Sequence, residues 1–173
     1  VDSRAHRTED GADYTAINSR GQVPVLELDD GSRLTEGPVI AQFIADRAKR
    51  RDLMPEPGSL ERYRVMEWQN YVTSELHKSF GPLFDSALPD DAKAFFRAQI
   101  RGKFAWVDGQ LRGRDFLTGS VFTAADAYLF VVTTWARPTN VDLDGFAHVA
   151  AFRQRVAARA SVHDAMKAEG LLG

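Results

Sequence analysis

The sequence predicts a small α+β domain followed by an all-α domain. Three observations support this fold class: residues 22–35 carry a β-hairpin pattern, strand signals almost vanish after residue 58, and four or five helical segments follow. The chain has 173 residues, of which 44% are hydrophobic and 27% charged, so a globular fold is expected and a disordered or fibrous chain is excluded. We therefore expect a first domain over residues 1–50, a linker over residues 51–58 and a helical domain over residues 59–173.

The first domain is predicted to contain a β-hairpin and one helix. Strand-forming residues at 22–28 and 33–35 flank the polar turn 29–32, whose glycine suits a tight reversal of the chain. Gly37 and Pro38 then open a segment with apolar residues at helical spacing, and proline suits the first helical turn. The Pro- and Gly-rich end of residues 51–58 interrupts this periodicity, which is why a linker is expected there.

The second domain is predicted to consist of helices only. They cover residues 59–84, 90–111, 123–136, 148–158 and 161–169. The first helix carries an apolar line at steps of four residues that is expected to face the core: Leu60, Arg64 through its stem, Trp68, Val72, Leu76 and Phe80. A polar stripe that ends at His77 and Lys78 lies on another side of this helix and is able to face a ligand.

The third predicted helix carries a start signal. Thr123 and Asp126 have the spacing of a capping box, with aspartate in place of the usual Glu or Gln. Loss of the Thr123 cap is expected to cost about 1 kcal/mol. Apolar residues cover more than one face of the helix that follows, which predicts that it is the central buried helix of the domain.

The composition excludes several classes of partner. Twenty-two Lys and Arg against 24 Asp and Glu give a formal charge of −2, too little for the positive field that nucleic-acid binding requires. The longest apolar run, 127–132, is far shorter than the roughly 20 residues that span a bilayer, so no membrane segment is expected. The chain has no cysteine, and its four histidines lack metal-ligand spacing. We therefore expect no metal, and a cytoplasmic location is favoured.

The local motifs resemble those of the glutathione S-transferases, in particular the bacterial beta class. They stand in the order Gly21-Gln22-Val23-Pro24, Leu34-Thr35-Glu36-Gly37, Glu67-Trp68-Gln69-Asn70-Tyr71, Glu75-Leu76-His77-Lys78 and Phe122-Thr123-Ala124-Ala125-Asp126-Ala127-Tyr128. This resemblance covers nearly the whole chain. It implies the glutathione S-transferase fold, with a thioredoxin-like N-terminal domain and a helical-bundle C-terminal domain, and a homodimer. The implied activity is conjugation of the glutathione thiolate to small hydrophobic electrophiles, a detoxification reaction.

The resemblance also implies that the N-terminal domain is incomplete. A family member begins with a further βαβ unit of roughly 30 residues. That unit holds the Cys, Ser or Tyr that faces the glutathione sulfur, and the sequence is expected to lack it. An alternative function therefore stays open, namely a non-catalytic glutathione-binding or scaffold protein, or an inactive fragment.

Positions that match the family's motifs imply which residues of this chain bind glutathione, the co-substrate. Val23 is implied to pair its main chain with the cysteinyl unit, ahead of Pro24, whose peptide bond is expected to be cis. Glu36 is implied to take the γ-glutamyl ammonium, and Gly37, at the helix start, its carboxylate. From the residues alone, a favourable charge at a helix start is the preferred explanation of Glu36.

Three further positions match residues that contact glutathione in the family. Asn70 and Glu75 match positions that are implied to reach glutathione across the dimer interface, and exposed helix polarity is the alternative explanation for both. His6, or Arg7 beside it, stands where the family has a lysine at the glycyl end, so a weaker contact with that carboxylate is expected.

His77 and Lys78 match the beta-class pair beside the sulfur and are the catalytic candidates. A thiol with a pKa near 8.5 is mostly protonated at neutral pH, so a hydrogen-bond donor or positive charge must stabilise the thiolate. The alternative for His77 is a polar residue in a solvated groove, and the alternative for Lys78 is a surface cation.

Four residues are expected to form the apolar wall that contacts the electrophile, although core packing explains them equally well. They are Phe80, Leu83, Phe84 and Trp135.

Overall fold

The computed structural model describes residues 1–172 and divides into two compact units, Val1–Arg50 and Arg51–Gly173. The segment 51–58, for which the sequence predicts a linker, makes contacts within the second unit. Met54 is fully buried, and the Leu53 carbonyl accepts a hydrogen bond of 3.0 Å from the Ala124 amide. Proline and glycine end the periodic pattern there, but an apolar side chain still attaches the segment to the helices.

A short antiparallel hairpin forms the sheet of the first unit. Strand β1 is Val25–Glu27 and strand β2 is Arg33–Thr35, with Leu26 opposite Leu34. The turn is closed by the Leu28 amide, which donates to the Ser32 carbonyl at 2.9 Å, and it contains a glycine with a φ of +80°. The predicted hairpin is confirmed, with a first strand shorter than its pattern because Pro24 has no N–H to donate.

Helix α1, Gly37–Arg47, follows the hairpin and packs against both strands. Pro38 lies in its first turn, as its lack of an N–H favours. Ile40 and Ala45 are the buried residues of the helix. This agrees with the helical spacing read from the sequence.

The second unit is a bundle of helices. They are α2 Leu60–Tyr71, a π-helical turn Val72–His77, α3 Lys78–Phe84, α4 Asp90–Leu111, α5 Ala124–Thr134, α6 Ala147–Ala157 and α7 Ala160–Ala168. Helix α4 packs against α3 and α6, while α5 packs against α2, the π turn and α6. Every predicted helical segment is present, and the first one is divided by the π turn.

The π turn explains why one apolar line stays buried over steps of four residues. In this turn the Lys78 amide donates to the Thr73 carbonyl, five residues back. Trp68 and Phe80 are twelve positions apart, which in an α-helix is about 1200°, or roughly 120° past three full turns. Since a π turn absorbs one extra residue, the rotation falls to about 1100° and both ends face the same way. Trp68, Val72, Leu76 and Phe80 are accordingly all buried.

The same line leaves the core in α2, which has regular α-helical winding. Leu60 is 64% exposed, and Arg64 forms an exposed ion pair of 2.8 Å with Glu67. The prediction that Leu60 and Arg64 face the core is therefore wrong. Eight residues from Leu60 to Trp68 overshoot two α-helical turns by about 80°, and nothing in α2 corrects this drift.

The capping box at the start of α5 is confirmed. Asp126 Oδ2 accepts from the Thr123 amide and hydroxyl, each at 2.8 Å, and Oδ1 accepts from the Leu117 amide at 2.8 Å. Asp126 is fully buried, and this burial raises the pKa of its carboxyl, while the three donated bonds oppose the increase. Leu129 and Val132 are also fully buried, so α5 is the buried helix that the sequence predicts.

No helix within residues 1–172 is long and apolar enough to cross a membrane.

Candidate functional site

Two buried side chains hold the chain just before the Val23–Pro24 peptide bond. Tyr14 Oη donates to the Gln22 carbonyl at 2.9 Å, and Asn18 Nδ2 donates to the same oxygen at 2.7 Å. The Val23–Pro24 bond is cis, as expected. The Val23 side chain is exposed, and its amide and carbonyl have no hydrogen-bond partner among residues 1–172. The main chain of Val23 is therefore available to an extended ligand.

Glu36 lies at the start of α1 and forms an ion pair that no sequence pattern predicts. Its Oε1 is 2.6 Å from Arg20 Nη2, and both side chains are about half exposed. Its φ is +68°, and Gly37 begins the helix whose amino end carries a partial positive charge. A carboxylate, a guanidinium and a helix start are thereby combined, which suits the ammonium and carboxylate of an amino-acid head group.

His6 packs against Gly21 within the same unit. A Cβ atom on Gly21 would lie 2.5 Å from both Cε1 and Nδ1 of the His6 ring, so only glycine fits there. Gly21 also has a φ of +64°, in the left-handed region. Arg7, the alternative for the glycyl contact, instead donates from Nη1 to the Gly11 carbonyl at 3.2 Å. Of the two candidates, His6 is thus the one that lies beside the 21–24 segment.

Gly21→Ala is expected to lower the free energy of unfolding by more than the roughly 1–2 kcal/mol that left-handed backbone costs an L-residue. The matched control is Gly11→Ala, because Gly11 has a φ of +85° and no atom within 4 Å of its Cβ position. Urea denaturation of the two variants separates the backbone cost from the clash with His6. Equal losses in the two variants would contradict the close packing of His6 on Gly21.

His77 ends the π turn and is held from two sides. Its Nδ1 is 2.7 Å from Tyr128 Oη, and its ring packs edge-on against Trp135 with centroids 4.6 Å apart. Burial, and then the positive charge of Lys78, lower the pKa of His77, so its imidazole is neutral at pH 7. The Lys78 ammonium is exposed and has no partner in the described part of the chain. The unit therefore presents a neutral imidazole and a free positive charge side by side.

The four residues predicted as an apolar wall differ in exposure. Trp135 is half-buried and packs edge-on against Phe80 and Phe84, at centroid distances of 5.7 and 5.9 Å. Phe80 has no exposed surface and Leu83 is 8% exposed, so these two pack in the core. Phe84 is 52% exposed. Trp135 and Phe84 are thus the members of the set with surface left for a ligand.

Glu75 is already paired within its own unit. Its Oε2 is 3.0 Å from Lys103 Nζ, and the same ammonium donates to the Glu75 carbonyl and to Ser79 Oγ, each at 2.8 Å. Asn70, in contrast, has an exposed side chain without a partner in residues 1–172. If the Glu75 carboxylate also bound a ligand, it would have to interact with that ligand and with Lys103 at the same time.

No group of three or more His, Asp or Glu in the described residues is arranged to hold a metal ion.

Two family models match the chain. Residues 1–47 match the model described as glutathione S-transferase, N-terminal domain, and residues 72–155 match the model described as glutathione S-transferase, C-terminal domain. Glutathione S-transferase GstA of Escherichia coli O157:H7 is 47% identical over 171 residues, which are 99% of this chain and 85% of that protein.

Solved structures of glutathione S-transferases are also similar to this chain. A sphingomonad glutathione S-transferase complexed with glutathione is 40% identical with a TM-score of 0.93, over 99% of this chain and 85% of that one. A bacterial beta class glutathione S-transferase of Sphingomonas chungbukensis is 38% identical with a TM-score of 0.95, over 99% of this chain and 86% of that one. These matches confirm the predicted fold, a thioredoxin-like N-terminal domain followed by a helical C-terminal domain.

Proposed function

The chain belongs to the glutathione S-transferase family, and from this we propose that the protein is a glutathione transferase of the beta class. It joins the sulfur of glutathione, its co-substrate, to small hydrophobic electrophiles. The observation that carries the proposal is the pairing of a neutral His77 and a free Lys78 with the exposed ring surface of Trp135 and Phe84. The non-catalytic alternative is not favoured, because the identity to a glutathione S-transferase is 47% over 99% of the chain.

Several residues assigned to glutathione binding lie in the first unit. In the unit Val1–Arg50, the Val23 main chain pairs with the cysteinyl part of glutathione. Glu36 takes the γ-glutamyl ammonium, and the Gly37 amide its carboxylate. His6 meets the glycyl carboxylate, and a positive charge on its ring would strengthen that contact.

The helical unit supplies the chemistry. His77 donates a hydrogen bond to the thiolate and Lys78 adds a positive charge, so the thiol loses its proton to solvent at a lower pH. The sulfur then attacks the electrophile, for example an aryl chloride, in which the C–S bond forms and the C–Cl bond breaks with loss of chloride. Trp135 and Phe84 contact the apolar part of the electrophile, while Asn70 and Glu75 are assigned to glutathione.

The assembly and the size of the protein also belong to the proposal. A homodimer is supported by large apolar side chains that are exposed on α2 and α4: Leu60, Tyr63, Phe95 and Trp106. A preceding βαβ unit that holds the sulfur-facing residue, the domain division and a cytoplasmic location stay predictions. An intact mass of the purified protein above 19.2 kDa by one βαβ unit would support the first of these.

His77→Ala is expected to lower kcat/KM for conjugation of glutathione to an activated aryl chloride by about 10- to 100-fold, the value of one hydrogen bond to a charged group. The matched control is His163→Ala, because the His163 side chain is 64% exposed on α7. We expect the control to retain full activity. Unchanged turnover of His77→Ala would remove this residue from the catalytic set, and an inactive wild-type protein would refute the transferase proposal itself.

A further inference from the structure

The hydrogen bond between Tyr128 and His77 joins two parts of the helical unit that are 51 residues apart in sequence. Tyr128 lies on α5, two residues after Asp126, the buried carboxylate that fixes the start of that helix. His77 lies at the end of the π turn, where its ring is also packed against Trp135. The Tyr128 hydroxyl is therefore presented to Nδ1 from a rigid element, and the imidazole ring is held in one orientation.

The chemistry of the two groups determines what this contact does. A neutral imidazole has one N–H donor and one bare nitrogen acceptor, so the direction of the hydrogen bond at Nδ1 decides which nitrogen carries the proton. A tyrosine hydroxyl is able to donate or to accept at this nitrogen. When this hydroxyl donates to Nδ1, the ring proton must reside on Nε2. The opposite arrangement would leave Nε2 as a bare acceptor, which is unable to stabilise a thiolate by hydrogen bonding.

We infer that Tyr128 is a positioning residue that holds His77 in the Nε2–H tautomer, so that His77 acts as a hydrogen-bond donor to the thiolate and not as a base. This inference rests on the proposed function for its catalytic consequence. Its structural content, the tautomer and the residue that sets it, concerns the free protein alone. The two parts can therefore fail separately.

The deciding experiment is nitrogen NMR of the full-length protein with ¹⁵N-labelled histidine side chains at pH 7.5, with the His77 signals assigned by loss in His77→Ala. We expect the wild-type protein to show a protonated Nε2 and a bare Nδ1. Tyr128→Phe retains the ring but removes the hydroxyl, so we expect a mixture of both tautomers in that variant. A protonated Nδ1 in the wild type, or an unchanged spectrum in Tyr128→Phe, would overturn the inference whether or not the protein conjugates glutathione.

Kinetics provide a second readout that a purely structural role would not affect. Tyr128→Phe is expected to lower kcat about three- to tenfold with an unchanged KM for glutathione, which is the effect of losing one ordinary hydrogen bond. The matched control is Thr134→Val, which removes an exposed hydroxyl that donates to the Val131 carbonyl on the same helix, and its activity should equal that of the wild type. A conservative variant separates donor from base, because the amide N–H of His77→Gln can replace an Nε2–H donor but not a base. Activity of His77→Gln no higher than that of His77→Ala would overturn the donor assignment.

Discussion

Asp126→Ala is expected to lower the free energy of unfolding by about 3–5 kcal/mol, one of the largest effects of any single substitution in this chain. The fully buried carboxylate accepts three hydrogen bonds, from the Leu117 amide and from the amide and hydroxyl of Thr123. Alanine would leave those donors buried without acceptors and would also remove the capping box of α5. Chemical denaturation of the purified variant, followed by far-UV circular dichroism, measures the loss.

Two further variants calibrate that result. Thr123→Ala removes one hydroxyl and leaves both amide bonds to Asp126, so a loss of about 1 kcal/mol is expected. Asp164→Ala replaces an aspartate whose side chain is 81% exposed, and its effect is expected to be close to zero. A loss in Asp126→Ala no greater than that in Asp164→Ala would show that the buried network does not stabilise α5.

Glu36→Ala is expected to weaken glutathione binding by about 10- to 100-fold, because it removes a charge-assisted hydrogen bond to the γ-glutamyl ammonium. The fold should be almost unaffected, since the Arg20–Glu36 pair is half exposed and such pairs stabilise proteins by about 0–1 kcal/mol. Titration calorimetry with glutathione measures the affinity, and a thermal melt verifies the fold.

The chain offers a close control for this substitution. Glu27 forms an ion pair of 2.7 Å with Arg33 in the hairpin of the same unit, and its exposure is similar to that of Glu36. Glu27→Ala therefore removes an equivalent exposed pair away from the start of α1. We expect it to bind glutathione as the wild type does. Equal affinities of the two variants would mean that Glu36 does not hold the ammonium.

Features with local causes were predictable from the sequence. The hairpin follows from a polar turn with glycine, α1 from Gly37 and Pro38, and the start of α5 from the spacing of Thr123 and Asp126. Each of these signals lies within a few residues, where backbone preferences and hydrogen bonding act directly. Their agreement with the structure is expected for the same reason.

Contacts made by the tertiary fold left no local pattern. Arg20 lies 16 residues from Glu36, Lys103 lies 28 residues from Glu75, and the two members of the Tyr128–His77 bond are farther apart still. Residue type also did not distinguish a ligand wall from a core, because both are apolar. Burial makes that distinction, and it separates Phe80 and Leu83 from the exposed Phe84.

The π turn has a consequence for how this chain tolerates changes in length. Because it contains one residue more than an α-helical turn, deleting the exposed Ser74 from it would restore regular winding and leave α2 and α3 in their places. The same deletion inside α4 would rotate everything after it by about 100° and turn the buried face of that helix towards solvent. Helices of this domain that are otherwise alike therefore differ in whether a one-residue gap is harmless or disruptive.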